Sequence, residues 1–113
     1  MGFEKLLSPI KIGGLELKNR MVMLPMATNY CTREGFVTQR VKDYYEERAK
    51  GGVALIIVEA GSITYPFGLS TAKQIGLYDD RQIPGLKELV EVIHKHGCKV
   101  AFQLHHAGHR STR

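Results

Sequence analysis

Hydrophobic and polar positions follow two periods along this chain, and the switches between them set the expected architecture. Residues 7–17 alternate apolar and polar side chains around Gly13-Gly14, the pattern of a β-hairpin closed by a two-residue turn. Met21-Val22-Met23-Leu24 is a short apolar run stopped by Pro25, which removes a backbone donor and disfavours helix before it. A loop therefore opens at Pro25 and runs to Gly35. Thr38 is placed to cap a helix ending at Lys50, with Val41, Tyr44, Tyr45 and Ala49 on one face and Gly51-Gly52 as its stop. Residues 52–61 form a continuous apolar run rich in β-branched side chains, which predicts a strand buried on both faces of a parallel sheet.

A long loop follows, from Ser62 to Asp80, of the kind that is functional or carries irregular structure. Pro84 suits the first turn of a second helix, with Leu86, Leu89, Val90 and Ile93 facing inward and Gly97 ending it. Residues 98–104 read as a third strand. Strands alternating with helices predict an α/β fold of right-handed βαβ units. The order also matches the opening of a TIM (β/α)8 barrel of roughly 250 residues, entered through an N-terminal hairpin, with about three of the eight strands present. Residues 1–113 are accordingly expected to be the N-terminal segment of such a barrel, with its remainder absent. An open edge on a buried-type strand invites pairing, so a homo-oligomer through that edge is expected of the isolated chain.

Composition narrows the partners. With 43% hydrophobic and 24% charged residues in 113, the chain is globular and of single-domain size. Its net charge of +5 is scattered and not massed in a block. That reads as a solvated surface, so nucleic acid is not an expected partner. An anion- or nucleic-acid-binding domain would rest on this charge alone, and would predict strongly salt-dependent binding. Cys31 and Cys98 lie far apart without CxxC spacing, which gives neither a disulfide framework nor a zinc site. No apolar run approaches membrane-spanning length, so a soluble, cytoplasmic protein is expected.

Candidate chemistry gathers where the strands end. In parallel α/β folds, ligands collect at the C-terminal ends of strands. The first strand delivers Pro25-Met26-Ala27-Thr28, the second Glu59-Ala60-Gly61, and the third Gln103 with His105 and His106 behind it. Small residues, an exposed apolar shelf and an amide that both donates and accepts suit a flat heterocycle with edge carbonyls and ring nitrogens. No glycine-rich turn follows the first strand, so a phosphate-cradling Rossmann site is excluded. Ala107-Gly108 interrupts His105, His106 and His109, which argues against a helical metal site. Glu59 reads as a structural charge paired with a neighbouring Lys or Arg, and Cys31 as an inert thiol.

Asn19-Arg20-Met21-Val22-Met23-Leu24-Pro25-Met26, Ile57-Val58-Glu59-Ala60 and Gln103-Leu104-His105-His106-Ala107-Gly108 resemble the Old Yellow Enzyme family, in particular its enoate reductase and dienoyl-CoA reductase branch. The resemblance runs from Leu7 to Arg110. It implies an FMN-dependent oxidoreductase on a (β/α) barrel, reducing activated C=C bonds of α,β-unsaturated small molecules with NAD(P)H. It further implies that Pro25, Met26, Ala27 and Thr28 line the flavin, that Ala60 packs near its pyrimidine end, and that Gln103 bonds that edge. Tyr30 and His106 would face the substrate. The family often carries Thr, Cys or His where Ala27 stands; alanine donates no hydrogen bond, and Thr28 is the neighbouring hydroxyl that could substitute. The family's substrate-anchoring pair, its phosphate site and, in the larger branch, its iron–sulfur cysteines belong to later segments. Neither Cys31 nor Cys98 replaces those cysteines. The isolated chain is therefore expected to be catalytically inactive, a structural or self-associating piece.

Overall fold

The computed structural model describes residues 2–112. A single helical turn, α1 (Glu4–Leu7), precedes a hairpin of β1 (Ile10–Ile12) and β2 (Leu15–Leu17), paired antiparallel with Ile12 opposite Leu15. Gly13 turns the hairpin at φ 57°, a conformation that costs glycine nothing. The hairpin stands apart from the main sheet and is anchored by Leu17, which is fully buried. The short turn α1 was not visible in the sequence pattern, since four residues cannot show a period.

The main sheet holds β3 (Val22–Met23), β4 (Leu55–Ser62) and β5 (Lys99–His105), all parallel, in the order β3-β4-β5. Asn19 sets the start of β3. Its side-chain amide donates to the Gly52 carbonyl at 2.7 Å, while its oxygen accepts from the Met21 N–H at 3.0 Å. This part of the Asn19–Met26 motif is thus structural, joining the entry of β3 to the entry of β4.

Two helices supply the crossovers. In α2 (Gln39–Lys50), the Thr38 hydroxyl accepts from the Val41 N–H, as its position predicts, and Gly52 leaves the helix at φ 102°. In α3 (Ile83–His94), Pro84 sits in the first turn, where its missing N–H has no partner to lose. Val41, Tyr45 and Ala49 of α2 and Leu89 and Ile93 of α3 close over Ile56 and Val58 of β4, making one core. Both helices contribute to this core on the same face of the sheet.

The opposite face is uncovered, and here the expectation of a strand buried on both sides needs correction. Val22 and Leu24 are exposed, Leu55 and Ile57 half-buried, and Ala101 and Gln103 of β5 exposed. The apolar composition is that of a two-sided strand, but this chain provides a layer for one side only. β5 is an edge strand, paired with β4 alone.

The strand register carries one irregularity. Val58 pairs with Phe102 and Gly61 with Leu104, so Glu59 and Ala60 together oppose the single Gln103. This is a β-bulge, a device that reverses the in–out alternation of the residues after it. Upstream, Ile56 and Val58 face the helices. Glu59 faces them too, because its carboxylate meets Tyr45 of α2. Ala60 follows on the open face.

Candidate functional site

Buried polar bonds hold up the rim at the C-terminal ends of β3, β4 and β5. Glu59 is fully buried, and both its oxygens accept hydrogen bonds. The Thr28 N–H donates to Oε2 at 2.8 Å, the Thr28 hydroxyl to Oε1 at 2.9 Å, and the Tyr45 hydroxyl to Oε1 at 3.0 Å. The Glu59 N–H, released from the ladder at the bulge, donates to Tyr45 Oη at 3.0 Å. No Lys or Arg bonds Glu59 among the described residues, which corrects the expected ion pair: neutral donors do the whole task. Burial forces this choice, since a long cationic side chain would have to be desolvated beside it.

The same arrangement fixes the loop after β3. Thr28 is tied to β4 through Glu59, and Tyr30 is tied to α2, its carbonyl accepting from the Thr38 hydroxyl at 2.7 Å. Between β3 and these anchors, Met26 and Ala27 are exposed and Pro25 and Thr28 half-buried. Thr28 has one hydroxyl proton, and Glu59 takes it. The expectation that Thr28 stands in as a hydrogen-bond donor for Ala27 is therefore corrected.

Burial also quiets the nearby ionisable groups. Cys31 is enclosed in the core beside this network, and burial first, then the charge of Glu59, pushes its thiol up to about 12. Burial likewise pushes the Tyr45 phenol upward, out of any useful acid–base range. A thiol buried in the core and held protonated fits the expectation of an inert one.

On the other side of the rim, the long loop after β4 folds back against the sheet. The Ser62 N–H donates to the Ile75 carbonyl at 2.9 Å and the Leu77 N–H to the Ser62 carbonyl at 2.8 Å, so Gly76 bridges alongside the end of β4. Gln74, almost fully buried, joins three segments. Its oxygen accepts from the Ser70 N–H at 2.8 Å, and its amide donates to the Ala60 carbonyl at 2.7 Å. The same amide lies 3.1 Å from His105 Nδ1, which makes that nitrogen the acceptor and places the imidazole proton on Nε2. Sequence patterning offered no signal for Gln74, because a side chain that bonds backbone need not sit in any period.

The candidate residues are thus partly assembled. Pro25, Met26, Ala27, Ala60 and Gln103 come together at one open rim, and the Gln103 amide has no hydrogen-bond partner among the described residues. Tyr30 and His106 are engaged elsewhere. The Tyr30 ring meets Tyr44 edge-on at 6.0 Å, with the Arg40 guanidinium 3.7 Å over its face. His106 folds onto the long loop, so close to Gly68 that a Cβ there would meet its ring at 2.6 Å. A crevice of about 330 Å³, lined by Phe36, Tyr65, Tyr78 and Arg81 among others, includes none of the rim residues. Among the described residues, no three His, Cys, Asp or Glu side chains gather to hold a metal ion. Among these residues, too, no helix is long and apolar enough to cross a membrane.

Comparison with known proteins places this geometry. The model of the NADH:flavin oxidoreductase / NADH oxidase family matches residues 5–113. The chain belongs to this family. An NADH oxidase of Thermoanaerobacter brockii is 47% identical over 110 residues, spanning 97% of this chain and 17% of that protein. An NADPH dehydrogenase of Geobacillus thermodenitrificans is 46% identical over 107 residues, spanning 94% of this chain and 31% of the relative. Among solved structures, the old yellow enzyme of Trypanosoma cruzi superposes with a TM-score of 0.88 at 34% identity, over 98% of this chain and 29% of that one. A 2-naphthoyl-CoA reductase in complex with 2-naphthoyl-CoA reaches 0.93 at 34% identity, over 96% of this chain and 16% of its own. This chain of the NADH:flavin oxidoreductase family therefore has the fold of part of a (β/α) barrel, and it spans well under half the length of these relatives.

Proposed function

We propose that this chain furnishes one side of an FMN site in an NAD(P)H-dependent oxidoreductase that reduces activated C=C bonds. The observation that carries the reading is the placement of Ala60 opposite Gln103 within the bulge, with the Pro25–Ala27 segment on the other side of β4. The residues fit the group. Gln103 carries a donor and an acceptor on one exposed amide, which suits the pyrimidine edge of an isoalloxazine. Ala60 is small enough for a flat ring to pass close to the backbone. Met26, 56% exposed, offers a soft apolar surface, and Pro25 fixes the strand's exit. FMN, when bound, supplies the transfer of hydride between nicotinamide and alkene; these residues bind it and orient it.

Two relatives are named for their NADH or NADPH chemistry, and one solved neighbour is complexed with an aromatic acyl-CoA. The first two support a nicotinamide reductant, and the third supports a planar unsaturated small molecule as the substrate class. Residues 1–113 act in this reading as the first barrel segment of that enzyme.

Absorbance spectroscopy tests the proposal. The purified chain is incubated with excess FMN and desalted, and the variant Ala60→Phe is treated in parallel. Retained flavin bands in the wild type, lost in Ala60→Phe, are the expected result. A colourless wild type would overturn the reading that this chain forms a usable half-site, and equal loading of the variant would overturn the role of Ala60.

A second reading has its own observation. Leu104, near the end of the edge strand β5, is 72% exposed, and the open face adds Val22 and Leu24. In this reading the chain alone is no catalyst and self-associates through the β5 edge. Sedimentation should then give a concentration-dependent mass; a strict monomer at all concentrations would sink it.

A further inference from the structure

We infer that Glu59 is a positioning residue that fixes the height and shape of the Pro25–Ala27 shelf, and that the β-bulge exists to aim it there. The inference rests on the flavin-site reading above and assigns that site a supporting residue that is itself fully buried. Three observations converge on it.

The first is direction. Glu59 lies on β4, and strict alternation would have turned it to the open face and Ala60 to the helices. With two residues set against Gln103, Glu59 turns inward beneath the loop and Ala60 outward to the rim. One irregularity therefore sets both positions.

The second is grip. Thr28 is held twice by the same carboxylate, through its N–H at 2.8 Å and its hydroxyl at 2.9 Å. Two bonds to one rigid acceptor fix orientation as well as distance. Thr28 immediately follows Ala27, so its backbone direction dictates where the shelf ends.

The third is support. Glu59 is itself held by Tyr45, which donates to its carboxylate and accepts from its N–H, and Tyr45 is fully buried on α2. The chain of contact runs from helix to strand to loop without a flexible exposed member. A loop held from below in this way presents a preformed surface, which lowers the ordering cost of binding.

Amide hydrogen exchange and NMR of the 113-residue chain, with and without FMN, test this. In Glu59→Gln, one acceptor oxygen becomes an amide NH2, which donates and cannot accept, so the remaining oxygen cannot serve all the Thr28 and Tyr45 donors. Exchange of the Thr28 N–H should accelerate by about tenfold or more, while the Ile56 and Val58 amides stay protected. The Met26 and Ala27 signals should shift or split. FMN affinity should fall by about tenfold where the wild type binds it. Thr28→Ser should restore wild-type behaviour, and Thr28→Val, which keeps the N–H and loses the hydroxyl, should fall between. Unchanged Thr28 protection and unmoved Met26 and Ala27 signals in a folded Glu59→Gln protein would overturn the inference. So would full FMN affinity despite a loosened loop. If the wild type takes up no FMN, the flavin-site reading fails for this chain; the exchange data then decide alone whether Glu59 holds the loop.

Discussion

Tyr45 and Glu59 bond each other twice: the phenol donates to the carboxylate at 3.0 Å and accepts from the N–H of the same residue at 3.0 Å. The bulge takes the Glu59 N–H out of the strand ladder, and a side chain from α2 replaces the missing strand partner. Tyr45→Phe would leave that N–H and one carboxylate lone pair unsatisfied in the core. A loss of roughly 2–3 kcal/mol is expected, by the usual cost of orphaned buried polar groups. Urea unfolding should show a lower midpoint with an unchanged slope; a variant as stable as the wild type would mean water reaches the site.

Cys31 gives a pH dependence of known sign. Its thiol is pushed up to about 12 in the fold from an ordinary value of 9.0, by burial first and Glu59 second. The folded state thus disfavours the thiolate. Its contribution to stability is whole below pH 9 and is lost as pH climbs toward 12. At pH 8 the native chain should resist a thiol reagent at this position, and Cys31→Ala should flatten the alkaline decline of stability. Rapid labelling of Cys31 under native conditions would contradict its placement.

Asp79 works in the acid range with the opposite sign. It caps the 3-10 turn Asp80–Gln82, and hydrogen bonds from the Arg81 side chain and backbone hold its carboxyl down at about 2, from 3.8. A depressed value means stability present above pH 3.8 and lost as pH falls toward 2. The carboxylate is only partly buried and its Arg81 partner is exposed, so the effect is modest. An NMR titration of the Asp79 carboxyl should show the low midpoint, and Arg81→Ala should raise it.

Two glycine substitutions should part company. A Cβ on Gly76 would lie 2.7 Å from Gln82 Cδ. Gln82 cannot step aside, because it is buried and bonds the Glu34 carbonyl and the Tyr78 and Asp79 N–H groups. Gly76→Ala should cost about 1–3 kcal/mol through overpacking. On Gly85 of α3, the Cβ would meet Val37 at 3.4 Å, an ordinary contact. Gly85→Ala should therefore be neutral or stabilise by about 0.5–1 kcal/mol. Thermal unfolding of the pair checks the contrast.

Much of the frame was legible in the sequence. Thr38 capping α2, Pro84 in the first turn of α3 and the Gly13 turn all follow from backbone chemistry that acts within a few residues. The order of strands and helices gave the sheet's direction, and hence one rim for Pro25, Ala60 and Gln103. The bulge was not legible. In an uninterrupted run from Val53 to Val58, every residue is apolar, so no alternation exists whose break could be seen. Glu59 could be noticed but not aimed, and its partner Tyr45 read as an ordinary core residue. Gln74 and Gln82 escaped for a related reason. Their local bonds, Gln74 to the Ser70 N–H and Gln82 in a capping box with Asp79, follow short-range rules. The Ala60 and Glu34 carbonyls that they also bond are distant in sequence and are met only once the loop has folded.

The bulge also makes the rim a matter of counting. Every residue of β4 before Glu59 takes its facing from the core, and Ala60 takes the reverse. Deleting either Glu59 or Ala60 would restore simple alternation and disrupt the rim without touching a single core contact upstream. The number of residues between Ile56 and Gly61 thus fixes the rim as firmly as any side chain among them. An insertion or deletion scan should find this stretch intolerant, while the turn at Gly13-Gly14 absorbs changes of length.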